Sequence, residues 1–355
     1  MIEKLKLPIV GALTAAISIA LVLLGNPGNM GFCIACFLRD TAGALGLHGA
    51  VAVQYVRPEA IGIVIGALIV SLVTKEFSSK GGSAPVTRFI LGACVMIGAL
   101  IFLGCPLRMV LRIAGGDINA LIGLTGFVGG ILLGMFFLKK GYSLKRTYDV
   151  SKTDGFALPI LSLFILMTLI FIPSILLFSE SGPGAARAPM IIALAAGLIM
   201  GAVGFISRLC FVGGIRDSVM FKNFSMLSGF IALLVVGIIG NIIFGQFNLG
   251  FENQPVAHTE WLWNILGLGL VGFGSVLLGG CPFRQMVLAG SGNSDSTITV
   301  FGMVFGAAIA HNFSLASSPA GTTTNGRVAF VVAVAIVIAI AVYNTFFNKK
   351  VRTKV

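Results

Sequence analysis

The pentapeptide Gly104-Cys105-Pro106-Leu107-Arg108 returns almost unchanged as Gly280-Cys281-Pro282-Phe283-Arg284. Glycine permits a sharp backbone turn, and proline suits the first position of a new helix, where its missing N–H costs nothing. Each cysteine then stands at a helix start, where unpaired N–H groups and the helix dipole favour an anion or a thiolate. Each arginine follows three residues later on the same helical face. A soft sulfur ligand and a fixed positive charge therefore converge twice in one chain. That chemistry suits a soft anion.

A second echo precedes each pentapeptide. Cys33-Ile34-Ala35-Cys36-Phe37-Leu38-Arg39-Asp40 resembles the stretch Cys210-Phe211 followed by Arg216-Asp217. Aligned on their Cys-Phe steps, Cys36 matches Cys210, which leaves Cys33 without a counterpart. The candidate pore thiols are Cys36, Cys105, Cys210 and Cys281, with Cys33 beside them, and the candidate anion-attracting groups are Arg39, Arg108, Arg216 and Arg284. Arg112 and Arg208 serve equally well by position, and Asp40 and Asp217 read as counter-ions to their neighbouring arginines. Cys94 reads as a packing residue, and the three histidines, His48, His258 and His311, do not form a metal set. The sequence holds no phosphate-binding loop, nucleophile–base pair or carboxylate cluster, so neither catalysis nor a metal or cofactor is expected. Asp117, Asp40 and Asp217 are the only carboxylates read as candidates for burial and proton coupling.

The elements that must position these residues are membrane spans. Of 355 residues 57% are apolar and only 10% charged, and the mean hydropathy is +1.03, whereas soluble domains carry about 25% charged residues. Ten apolar stretches approach the length needed to cross a bilayer: 7–24, 58–74, 86–103, 118–138, 156–178, 189–206, 226–246, 261–279, 298–316 and 327–347. Between them, 27–47, 104–116, 204–219 and 280–294 are too short or too broken to cross and read as re-entrant segments. Gly81-Gly82-Ser83 and 317–326 read as flexible loops. The fold class is all-α polytopic membrane protein, and the net charge of +12 reflects basic loops rather than a nucleic-acid partner.

Eighteen of the 24 lysines and arginines fall on the side of the two termini, which places both termini in the cytoplasm. The two echoing units begin five spans apart, an odd number, so the second is inserted upside down. The expected organisation is a first repeat over 1–150, a linker helix over 151–188, an inverted second repeat over 189–320, and a last helix with a basic tail over 321–355. Inverted repeats with broken helices are a common architecture of transporters.

The Cys33–Asp40 stretch, with Gly28-Asn29-Met30-Gly31-Phe32 before it, and both Gly-Cys-Pro-x-Arg motifs resemble the YeeE/YedE family of bacterial inner-membrane transporters. The likeness is greatest to a branch described as selenium transporters. The resemblance implies an hourglass of opposed funnels, with Cys36, Cys105 and Cys281, and Cys210 as a fourth, contacting the terminal sulfur of a substrate such as thiosulfate. It departs from the thiosulfate branch, which is similar to Gly-Cys-Thr-Ser-Gly-His-Gly around its central cysteine; here arginines replace the histidine.

The sequence thus predicts uptake of a sulfur- or selenium-containing anion across the inner membrane, with a cytoplasmic carrier protein as onward partner. The alternative is a transmembrane thiol–disulfide electron carrier in which Cys105 and Cys281 cycle and Cys33-x-x-Cys36 admits electrons. Thiol exchange has no need of the arginines; an anion does.

Overall fold

The computed structural model describes residues 2–347. The basic tail expected over 348–355 lies outside the described residues. Ten long helices lie where the ten spans were expected: α1 (Ile2–Leu23), α3 (Pro58–Val73), α4 (Pro85–Phe102), α6 (Ile118–Lys139), α7 (Lys152–Phe171), α8 (Met190–Ser207), α10 (Ser225–Ile243), α11 (Trp261–Leu278), α13 (Ser294–Asn312) and α14 (Thr324–Val342). Among the described residues nine of them are long and apolar enough to cross a membrane, and α13, with its polar first turns, is not. Four short helices stand where the broken segments were expected: α2 (Ile34–Ala44), α5 (Pro106–Ala114), α9 (Phe211–Phe221) and α12 (Pro282–Gly290). The protein is an all-α polytopic membrane protein.

Local chemistry sets these boundaries. Proline opens α3, α4, α5 and α12, where no intrahelical N–H is lost. Asp117 caps α6 by accepting the Asn119 and Ala120 N–H groups, and Asn293 caps α13 through Ser296. The expected span 156–178 is corrected to α7, which starts at Lys152 and stops at Phe171 because Pro173 cannot continue it. Between α4 and α5 the chain turns through Leu103 at φ 64°, and between α11 and α12 through Gly279 at φ 82°. Glycine adopts that left-handed conformation freely; leucine does so only under constraint.

The long helices pair crosswise. α1 packs on α10 and α8 on α3; α4 packs on α13 and α11 on α6; α4 and α11 meet each other. Glycines bring the backbones together, as membrane helix packing requires. A Cβ on Gly11 would lie 1.9 Å from the Gly229 carbonyl oxygen, and one on Gly126 would lie 1.9 Å from that of Ile265. One on Gly66 would lie 2.1 Å from the Leu198 carbonyl oxygen, and one on Gly302 would lie 2.1 Å from that of Phe89. The short helices α2 and α5 are buried along almost their whole length, while α10 and α14 keep broad apolar faces outward.

Two segments read as flexible loops are tied down. Lys80–Gly81 pairs antiparallel with Tyr148–Asp149, and the buried Ser83 N–H donates to Asp295 at 3.1 Å while its hydroxyl donates to Leu144 O at 2.7 Å. In 317–326, the Ser317 N–H reaches Leu100 O at 3.2 Å, and the Thr322 hydroxyl donates to Glu260. Neither tie could be read from composition, because each partner is remote in sequence.

Candidate functional site

The cysteines gather at two separate centres. In the first, Cys33 caps α2, its sulfur accepting the Cys36 N–H at 3.3 Å, and the Cys33 and Cys36 sulfurs lie 2.8 Å apart. Cys105, which stands at the N-cap of α5, lies beside Cys33, with the Ala35 and Arg108 N–H groups directed to it. All three side chains are buried.

Arg108 closes this centre. Its Nη1 lies 3.7 Å from Cys36 Sγ and also donates to Leu103 O. Its Nε donates to Asn29 O at 3.2 Å, and Nη2 to Pro255 O at 3.1 Å and Val256 O at 3.3 Å. Every oxygen around the guanidinium is a neutral carbonyl, and among the described residues no carboxylate pairs with it. Its positive charge is thus held in place but left without a counter-ion, next to a thiol.

The second centre is built alike from α9 and α12. Cys210 caps α9, its sulfur accepting the Gly213 N–H at 3.3 Å and the Cys281 N–H at 3.5 Å. Arg284 is half-buried within electrostatic reach of both thiols, and its Nη1 is buried without a hydrogen-bond partner.

The capping roles correct the sequence alignment. Cys33 and Cys210 each cap an 11-residue helix, and Arg-Asp falls at the sixth and seventh helical positions in both, as Arg39-Asp40 and Arg216-Asp217. Cys33 therefore has a counterpart, Cys210, and it is Cys36 that has none, because Gly213 takes its place. The spacing to Arg-Asp carried this signal; the shared Cys-Phe step obscured it. The first centre has three thiols and the second has two.

The other arginines are engaged differently. Arg39 Nη2 and Arg57 Nε grip the two oxygens of Asp40 at 2.7 and 2.8 Å, all buried. Arg57, just ahead of α3, also donates to Pro183 O at 2.7 Å and Ala186 O at 3.2 Å. Arg216 pairs with the partly exposed Asp217 at 2.8 Å, and the buried Arg112 pairs with Asp117 at 2.6 Å. Arg208 is exposed. Of the candidate arginines, Arg108 and Arg284 alone combine proximity to the thiols with freedom from a carboxylate, among the described residues.

Cys94 lies apart from both centres, against α14. Cys105 and Cys281 belong to different centres, so they do not form the pair on which the electron-carrier reading rested. Two further carboxylates are buried, beyond those expected from the sequence: Glu59, whose Oε1 accepts from Asn26 Nδ2 at 2.8 Å, and Asp295, beside Arg88 at 3.5 Å. Conversely, Asp217 is only partly buried. His48 and His311 stack with ring centroids 4.6 Å apart, and His258 stands separately on Ile101 O. No cluster of metal-ligating side chains is found among the described residues.

Part of the chain is similar to known proteins. The model of a family described as sulphur transport matches residues 206–353, a stretch that contains the whole second centre. The thiosulfate transporter TsuA of Escherichia coli (strain K12) is 33% identical over 109 residues, which cover 30% of this chain and 30% of that protein. The aligned stretch thus spans less than a third of the relative's length.

Proposed function

We propose that this chain, a member of the sulphur-transport (YeeE/YedE) family, carries a sulfur-containing anion across the bacterial inner membrane through its two thiol–arginine centres. The observation that carries the reading is Arg108: a buried guanidinium without a carboxylate, 3.7 Å from Cys36 Sγ. A buried cation is costly unless something anionic meets it, and a soft anion such as thiosulfate offers negative oxygens to the arginine and a sulfur to the thiols.

In this reading the chain is two inverted repeats, 1–150 and 189–320, linked by α7, with both termini cytoplasmic. The first centre receives the anion from outside and the second passes it inward. Weak S–H contacts hold the terminal sulfur at each stage, favourably enough for occupancy and shallowly enough for release. Arg39 and Arg216, each engaged by its aspartate, shape the funnels, while Arg108 and Arg284 meet the anion. Selenium-containing anions of the same shape and charge satisfy the same contacts, and a cytoplasmic sulfur carrier would accept the product.

The test is uptake of radiolabelled thiosulfate and selenite by cells lacking their own route, comparing the parent with Cys36→Ser, Cys105→Ser and Cys281→Ser at matched membrane levels. Uptake that requires these thiols, with all of them reduced by alkylation assay, is the expected result. No uptake of either anion, with thiols that oxidise and clear as external redox changes, would overturn it in favour of electron transfer.

A further inference from the structure

The first centre holds a thiol, Cys36, that the second replaces with Gly213. The extra thiol makes a dithiol at helical spacing, sulfurs 2.8 Å apart, with Cys105 as a third beside Cys33. We propose that Cys33 and Cys36 form a capture site for trivalent arsenic in the form of a mono-organic arsenoxide. The proposal rests on the reading above in one respect: the centre must face the path by which an oxyanion enters, or a buried thiol would be out of reach.

The chemistry needs no oxidant. At each arsenic–oxygen bond an As–O and an S–H bond break, an As–S bond forms, and the thiol proton leaves with the oxygen as water. A mono-organic arsenoxide consumes two thiols, forms two As–S bonds and releases its oxygen with the two thiol protons as one water. Oxidation states do not change. Two features favour this ligand over a soft metal cation. The Arg108 guanidinium on Cys36 repels a cation, whereas a mono-organic arsenoxide is uncharged near neutral pH. The product is uncharged as well, so no new charge is buried. Once one As–S bond has formed, the second closes within the molecule, and such linkage raises overall affinity by about 10²- to 10⁴-fold over a single thiol.

The second centre lacks this geometry. Cys210 and Cys281 also approach one another, but from two different helices, without the one-turn spacing at a single helix start that joins Cys33 to Cys36. Cys94 has no thiol neighbour among the described residues.

The experiment uses the full chain in lipid nanodiscs with phenylarsine oxide as probe, reading thiols left open to alkylation after rapid denaturation. The expected result is loss of two reactive thiols, restored by 2,3-dimercaptopropanol and not by excess 2-mercaptoethanol. Cys33→Ser and Cys36→Ser should each weaken binding by at least about 10²-fold, and Cys94→Ser should leave it unchanged. Serine keeps an oxygen acceptor for the α2 cap; should Cys33→Ser still fail to fold, Cys36→Ser, which lies outside the cap, decides alone. Undiminished binding in Cys36→Ser, protection that maps to Cys210 and Cys281, or release by the monothiol would each overturn the proposal. Because capture is read without transport, the two readings fail separately. A chain that captures the arsenical but takes up no sulfur anion retires the transport reading, and one that transports without capture retires this one.

Discussion

Arg57 Nε lies 2.8 Å from Asp40 Oδ2, with both side chains shielded from solvent, while Arg39 holds the other carboxylate oxygen. One carboxylate thus joins α2 to the start of α3, and through Arg57 to the 183–186 loop ahead of α8. Removing one member of such a buried network leaves charges uncompensated, which costs about 3–5 kcal/mol. Asp40→Asn should therefore lower the unfolding midpoint in detergent markedly. A midpoint within a degree or two of the parent would mean that the two arginines find other partners.

Arg284 makes the opposite prediction. It is half-buried, lacks a carboxylate and leaves one nitrogen unpartnered, so Arg284→Gln should change stability by no more than about 0.5 kcal/mol. If it meets the anion, the variant loses a charge-assisted contact of about 1.5–3 kcal/mol, and uptake should fall tenfold or more. Uptake equal to the parent's would remove Arg284 from the path.

Close packing of α6 on α11 can be tested at Gly126. A side chain there would run into the Ile265 carbonyl at once, since even a Cβ would stand 1.9 Å from its oxygen. Overpacking of this kind costs about 1–3 kcal/mol or more. Gly126→Val should lower the detergent midpoint clearly, whereas Gly129→Ala, on the same helix with open space around it, should not.

His258 should give acid sensitivity. Burial, reinforced by the charge of Arg112, holds its imidazole below the usual value of 6.5, and Nε2 bonds to Ile101 O at 2.8 Å. In the unfolded chain the ring takes a proton below about pH 6.5, while in the folded protein it resists doing so until lower pH. Stability contributed by the neutral ring is therefore full above pH 6.5 and lost as pH falls through the folded value. The midpoint of the parent should drop between about pH 7 and pH 5 more steeply than that of His258→Gln. Parallel curves would assign the acid response to other groups.

The positions of the ten long helices were legible because unbroken apolar runs of span length have few other uses, and the four short helices because glycine, cysteine and proline interrupt those runs. The contacts were harder to see. Arg57 gives no local sign of its role, because nothing in its own stretch says that Asp40, in another element, will face it. Glu59 gives no local sign of burial, because Asn26, its hydrogen-bond partner, lies on the far side of α2 in sequence. Cys33 has no match by the identity of its neighbours but has one by its distance to Arg39-Asp40, and helical geometry follows distance. Arg108 and Arg284 stood out from sequence; which of the arginines lack a carboxylate did not.

The crosswise pairing of the long helices bears on how the protein is made. When residues 1–150 have left the ribosome, α1, α3, α4 and α6 each still lack the helix that will cover their glycine faces, since those partners lie in α10, α8, α13 and α11. The first half must therefore wait in the bilayer, its small-residue faces against lipid or an insertion chaperone, until the second half is synthesised and interleaves with it. Cut in the loop before α7 and expressed as two polypeptides, the halves should accumulate only together, each rescuing the other from membrane proteolysis.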